Sequence, residues 1–230
     1  MKNPAAGGGR WVDVPPERLV SWIVTFTERH QIGSVSPDPA GVTVTYFAGD
    51  GAAAECHPPF PPLRLAAGDD PAAIAGEIAA HAVADRTVGV LLVRLGGYAA
   101  GVFAGSPPRL VSSKTGSRPV HGRSAAGGWS QHRFARRREN QATTALRAAA
   151  DAAAGIFGPH RLDALVLGGD KRSVAGLRGD TRLAPYLGLV TDRFLTVPDP
   201  RLAVLKETPR SFLAIRIRLT EPEYGGSAPG

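Results

Sequence analysis

Apolar positions along the chain recur with two different periods, and the switches between them outline the elements. Trp11-Val12-Asp13-Val14 has the alternation of a short strand, and Pro15-Pro16-Glu17 then opens a helix to about Gln31, with Leu19, Ile23, Phe26 and Thr27 on one face. Val42, Val44 and Tyr46/Phe47 predict a strand that turns at Gly49-Asp50-Gly51 into a hairpin partner, Ala52 to His57. A proline-rich break follows, His57-Pro58-Pro59-Phe60-Pro61-Pro62. From Asp70-Pro71 a helix runs to about Ala84, and Val88 to Leu95 with Tyr98 to Ala104 reads as a hairpin across Gly96-Gly97. Leu110 to Ser113 is a third strand. Thr115 to Gly128 has almost no apolar residues, four glycines and a proline, which predicts a long mobile loop. Ser130 then caps a long helix to about Phe157 whose later turns align Leu146, Ala149, Ala153 and Ile156 or Phe157. Ala164 to Leu167 is a buried strand, Gly168-Gly169-Asp170 a turn, and Lys171 to about Leu177 a short helix. Leu183 to Leu205 follows no single period, and Phe212 to Leu219 alternates as a final strand.

Strands and helices in this order predict an α+β fold with one mixed sheet flanked by helices. The expected organisation is a frayed tail over 1–10, a small N-terminal α+β segment over 11–66, a larger domain over 67–222 with a mobile loop at 115–130, and a second frayed tail over 223–230. Both tails are rich in Gly, Ser, Ala or Pro.

Composition narrows the function. A chain of 230 residues, 43% hydrophobic, can bury a core without external staples, and its single cysteine, Cys56, excludes an intrachain disulfide and any zinc framework needing two thiols. Cys56 beside His57 at a hairpin end is expected to be a small apolar side chain. The N-terminus has no apolar segment of a secretory leader and no run is long enough to span a bilayer, so the expected location is cytoplasmic, with no membrane partner. The net charge is +7, and Lys114, Arg118, Arg123, Arg133, Arg136, Arg137 and Arg138 stand in one stretch without an acid, so the rest of the chain sums to zero. Such one-sided clustering predicts contact with nucleic acid.

Within that stretch lies Gly127-Gly128-Trp129-Ser130-Gln131. Two residues without Cβ let backbone approach a substrate closely. A glutamine amide both donates and accepts, so Gln131 can position a neutral water without acting as a base. The helix that begins here offers unpaired N–H groups and partial positive charge, suited to phosphate or to a developing oxyanion. For an activated ester, positioned water and oxyanion stabilisation suffice without a covalent nucleophile. Trp129 either stacks on an RNA base or packs the base of the loop. Lys171 and Arg172 after the Gly168-Gly169 turn are candidate phosphate contacts or a solvated first turn.

His121-Gly122-Arg123, Gly127-Gly128, Ser130 and Arg133-Phe134-Ala135-Arg136-x-Arg138 together resemble the catalytic-domain signature of archaeal and eukaryotic class I release factors, as does Ala164-Leu165-Val166-Leu167-Gly168-Gly169 with Asp170-Lys171. The resemblance covers roughly 88–219. The Trp-Ser before the glutamine is closer to the Vms-like release factors of ribosome quality control, in particular their actinobacterial branch. This resemblance implies a release-factor-like catalytic domain that hydrolyses peptidyl-tRNA on stalled large ribosomal subunits. It implies Gly127, Gly128 and Gln131 as the catalytic tip and Arg133, Arg136, Arg137 and Arg138 as an RNA-facing helix start; the charge pattern, the second turn and the exposed aromatic add Lys114, Arg118, Arg123, Trp129, Lys171 and Arg172 as candidate RNA contacts. One departure stands out: anchoring on Arg133 to Arg136 places Trp129, not Gln131, at the glutamine of the family's Gly-Gly-Gln. The stop-codon-reading motif Asn-Ile-Lys-Ser is absent, which points to rescue rather than termination.

Two rival readings follow from the same residues. His121 and His132 suit acid–base cleavage of RNA near the CCA end, and the basic stretch alone suits a non-catalytic ribosome-binding module. Nucleotide-binding fingerprints and metal-ligand spacings are absent, so no cofactor and no metal is expected. Oligomeric state is not legible.

Overall fold

The structure, a computed structural model, describes residues 3–4, 8–66, 68–94, 96–117 and 130–222, with side chains described outside 3–4 and 130–142. In chain order the elements are β1 (Asn3–Pro4), β2 (Arg10–Val14), α1 (Pro16–His30), β3 (Ile32–Pro37), β4 (Val44–Ala48), β5 (Ala53–His57) and α2 (Pro71–Val83), then β6 (Val88–Arg94), β7 (Gly97–Ala104) and β8 (Arg109–Ser117). There follow α3 (Ser130–Phe157), β9 (Ala164–Gly169), α4 (Lys171–Ala175), α5 (Ala184–Leu187), β10 (Val190–Leu195), α6 (Leu202–Phe212) and β11 (Ile215–Thr220). The fold class is α+β, as expected, but with two sheets in two units, 1–84 with 213–230, and 85–212.

The first unit is an antiparallel sheet in the order β1-β2-β11-β5-β4-β3. Its alternation explains its core. Val14, Val44, Tyr46, Ala54, Cys56, Ile215, Ile217 and Leu219 face inward against Leu19, Ile23 and Phe26 of α1 and Ile74, Ala75, Ile78 and Ala82 of α2. Each large side chain so buried contributes about 1.5–3 kcal/mol. Asp70 starts α2 by accepting the N–H groups of Ala72 and Ala73 at 3.3 and 3.0 Å, with Pro71 in the first turn. Cys56 is fully buried, and desolvation pushes its thiol well above the usual range, which makes it the inert apolar side chain expected. On the outer face the Arg216 guanidinium lies 4.2 Å from the Trp11 ring centroid, and Glu55 holds His57 and Arg218 each at 2.6 Å.

The boundary expected near residue 66 falls elsewhere, for two reasons. Helix α2 carries Ile74 and Ile78 into the core of the first sheet, and β11 returns from the far end of the chain to pair between β2 and β5, with Ile217 opposite both Val12 and Cys56. A reading along the chain assigns both to the larger domain because nothing local reports the long-range partner. Phe212 is the last residue of α6, not the first of the final strand. Strand β3 has no counterpart among the expected elements: Gly33, Ser34 and Ser36 erase its alternation, and as an edge strand it pairs only with β4. The expected frayed tail at 1–10 contains β1, paired to β2, and the first residue of β2, while 223–230 lies outside the described residues.

The second unit is a mixed sheet in the order β10-β9-β6-β7-β8, with β10, β9 and β6 parallel, β7 antiparallel to β6, and β8 antiparallel to β7. Val88 to Val93 are all buried, the continuous apolar run of a strand covered on both faces. One face, with Leu91, Val93, Tyr98, Ala100, Val102, Leu165 and Leu167, packs on Ala149, Ala150, Ala153 and Phe157 of α3. On the other, Phe103 meets Phe212 of α6 edge-on at 5.7 Å, and a Cβ at Gly101 would stand 2.8 Å from Leu205 of α6. The stretch 183–205 that followed no single period therefore holds three short elements, α5, β10 and the start of α6. No helix among the described residues is long and apolar enough to cross a membrane.

Candidate functional site

Strand register brings the ends of β6, β8 and β9, which border the candidate segments, to one end of the second sheet. Arg94 ends β6 opposite Gly97, Gly97 is opposite Ser117 at the end of β8, and Val93 is opposite Gly169 at the end of β9. The chain thus leaves β8 and enters α4 at the same sheet end. Helix α3 returns to it as well. Its last residue, Phe157, lies under Gly89 near the start of β6, where a Cβ would meet the Phe157 ring at 3.4 Å. The opposite terminus of α3 therefore points toward Ser117, Arg94 and Gly169.

Length then carries that terminus outward. With 28 residues, α3 is about 42 Å long at ~1.5 Å per residue, against roughly 23 Å for the seven residues of β6. Ala145, Ala149, Ala150, Ala152, Ala153 and Phe157 bury its later turns. Ser130 stands about 22 Å before Ala145 along a straight helix axis. Ser130 and Gln131 are the first two residues of α3, and Arg133, Arg136, Arg137 and Arg138 follow within its first three turns. Arg118, His121, Arg123, Gly127, Gly128 and Trp129 lie outside the described residues, as do the side chains of Gln131, His132, Arg133, Arg136, Arg137 and Arg138.

Of the loop expected over 115–130, residues 118–129 lie outside the described residues, and the described flanks are strand and helix. Thr115, Gly116 and Ser117 pair with Ala99, Tyr98 and Gly97, and Ser130 is helical. Gly116 makes the extension possible, since a Cβ there would stand 2.5 Å from the Tyr98 hydroxyl. Lys114 is exposed on β8 opposite Ala100, three residues before the strand end.

The turn from β9 into α4 is built by its two glycines and Asp170. Gly169 has φ +102°, and any Cβ there would collide with the Val93 carbonyl, which instead accepts the Asp170 N–H at 2.8 Å. The Asp170 carboxylate accepts the Ser173 hydroxyl at 2.8 Å and the N–H groups of Ser173 and Arg172 at 3.1 and 3.4 Å. These bonds, the Ser173 hydroxyl foremost, hold its carboxyl below the usual range. Lys171 and Arg172 are exposed immediately after this cap, with Lys171 Nζ 5.8 Å from the Phe194 ring centroid. Reading the sequence for cations alone misses Asp170, although a strand followed by Gly-Gly-Asp is itself a capping signal.

Asp170→Ala is expected to cost about 1 kcal/mol, the usual worth of an N-cap. Because the folded carboxyl titrates below the unfolded one, its contribution is complete above the unfolded value and disappears as pH falls through the folded value. Denaturant melts of wild type and variant should therefore differ at neutral pH and converge in acid; a constant difference across that range would contradict the capping role.

Among the described residues no group of three or more His, Cys, Asp or Glu is placed to hold a metal. The cationic character of this unit is pronounced: 85–212 contains twenty Lys/Arg and nine Asp/Glu, whereas 1–84 with 213–230 contains seven and eleven.

Residues 86–218 match the family model described as Actinobacteria/chloroflexi VLRF1 release factor. A comparison with curated proteins finds no match. Solved structures with some similarity include an archaeal translation termination factor, aRF1, at 15% identity and TM-score 0.40, covering 86% of this chain and 62% of that one. The Vms1 mitochondrial localization core is another, at 9% identity and TM-score 0.40, covering 76% of this chain and 75% of that one. The chain thus spans less than two thirds of the length of the archaeal factor. The family match takes in more than half of the chain and nearly all of the unit that carries the candidate residues, so the chain belongs to the Actinobacteria/chloroflexi VLRF1 release factor family.

Proposed function

We propose that the protein is a cytoplasmic peptidyl-tRNA hydrolase that releases nascent chains from stalled large ribosomal subunits. Membership of a release factor family over 86–218 carries this reading. The convergence of the α3 N-terminus, the departure of β8 and the exposed Lys171 and Arg172 on one sheet end supports it.

In this reading Arg118, Arg123, Arg133, Arg136, Arg137 and Arg138, with Lys114, Lys171 and Arg172, bind RNA phosphates, and Trp129 stacks on a base. Phosphate contacts of this kind orient the protein without reading sequence, which suits an enzyme acting on any tRNA. Gly127 and Gly128 let backbone approach the CCA end. Gln131 orients a water whose oxygen attacks the ester carbonyl carbon. The bond from that carbon to the terminal ribose oxygen breaks, a proton passes to that oxygen, and the peptide leaves with a free carboxylate. Unpaired N–H groups in the first turn of α3 stabilise the developing oxyanion.

Purified protein incubated with large-subunit particles carrying doubly labelled peptidyl-tRNA tests the reading on denaturing gels. Free peptide together with full-length tRNA is expected. Shortened tRNA would instead make the protein an endonuclease, and binding without turnover would make it a non-catalytic module.

A further inference from the structure

The first unit has a groove of about 700 Å³, running between α1 and β2, to which the proposed function assigns no role. Part of the inner face on the β2 side stays open beside α1. Val12 remains only partly buried there, and Val14 and Leu219 complete an apolar floor.

The α1 wall of the groove has a regular composition. Arg18, Trp22, Phe26 and His30 succeed one another at four-residue spacing along one helix face, with Trp22 stacked on Phe26 at 5.6 Å and 9° and Phe26 against His30 at 4.9 Å. Arg29 lies beside this row. His30 is held by Asp50 at 2.8 Å and Arg10 by Glu221 at 3.1 Å. Arg18 and Arg29 are exposed, and their guanidinium groups have no hydrogen-bond or ion-pair partner among the described residues. The acids lining the groove are Asp13 and Glu221.

Two uncommitted arginines beside an apolar aromatic floor, in a unit whose eleven acids outnumber its seven Lys/Arg, reverse the local sign of charge. From this we propose that the α1–β2 groove binds a short acidic segment of a partner protein, anchored by an apolar side chain. The anchor lies on Val12, Val14 and Trp22, and flanking carboxylates pair with Arg18 and Arg29. Screening over ~8 Å lets the two arginines act on a short segment, whereas a long polyanion also meets the acidic remainder of the unit. That distinction favours an acidic peptide over RNA.

The test is selection of a displayed random-peptide library on the full chain, followed by titration of the selected peptides against wild type and the R18E/R29E double variant. Both positions are exposed, and a thermal melt identical to wild type establishes that the variant is folded. Expected are selected sequences that combine Asp or Glu with Leu, Phe or Trp, and a loss of binding of tenfold or more in R18E/R29E. Absence of an acidic–apolar consensus, or a consensus whose binding is indifferent to the variant, would overturn the proposal. So would a labelled single-stranded RNA whose affinity, but not that of any selected peptide, falls in R18E/R29E. The release assay is independent of this outcome, so failure of one reading leaves the other standing.

Discussion

Replacing Gln131 with alanine is expected to slow peptide release by roughly 10²–10³-fold, the usual consequence of removing one polar group that acts in the transition state. Particle binding should be unchanged, because in the proposed reading phosphate contacts, and not the amide, hold the complex. The position of this residue makes the experiment more than a check on a motif. In the Gly-Gly-Gln of the class I release factors that the sequence resembles, the glutamine directly follows the two glycines, whereas here Trp129 and Ser130 intervene and Ser130 is already the first residue of α3. Gln131 is therefore a first-turn helical residue whose own N–H has no intrahelical acceptor, close to the partial positive charge of the helix end. Gly128→Ala should show a comparable loss if close backbone approach matters. Single-turnover release, measured beside particle binding for Gln131→Ala, Gly128→Ala and Trp129→Ala, separates the possibilities. A fully active Gln131→Ala enzyme that loses activity only in Trp129→Ala would move the reacting centre to the position given by alignment on Arg133 to Arg136.

The site is legible in the sequence to the extent that its signals are local. Gly168-Gly169-Asp170 announces a strand, a turn and a helix, and two of its residues have a local job: a left-handed φ at Gly169, a cap at Asp170. The long helix from Ser130 to Phe157 is visible because its apolar residues keep one period over several turns. Register is not visible. Nothing in Lys114 or Lys171 says that β8 and β9 end on the same side, since that follows from ladders joining β6 to β7, β7 to β8 and β6 to β9, the last formed across a long separation. The same limit hides the first unit. Ile215, Ile217 and Leu219 alternate as any strand does, and only pairing with β2 and β5 assigns them to the N-terminal sheet. The apparent neutrality of the chain outside 114–138 is a sum over two units, one acidic and one basic, which emerges only when the fold divides them.

That division sets the second large effect. Arg136, Arg137 and Arg138 occupy consecutive positions of α3, and successive positions of an α-helix are about 100° apart, so the three positions span about 200° around its axis. A helix extending past its sheet can use such a spread only if RNA surrounds it on several sides, as it would inside a ribosomal cavity. Reversing all three to glutamate is expected to weaken binding to large-subunit particles by a hundredfold or more at moderate salt. The logarithmic salt slope should fall by roughly 0.7–0.9 for each phosphate left without its arginine, hence by about 2–3 if all three arginines bind phosphate. Stability should hardly change, because the buried residues of α3 among those described, Ala145 to Phe157, follow the three arginines by about two turns or more. Lys171→Ala/Arg172→Ala, on a short helix at the sheet end, should lower both affinity and slope by less. The decisive comparison is a salt titration of binding for the two variants and wild type. If the triple variant loses affinity with an unchanged slope, the arginines act through the shape of the helix and not on phosphates; if the slope falls by about one unit or less, only one of them reaches RNA.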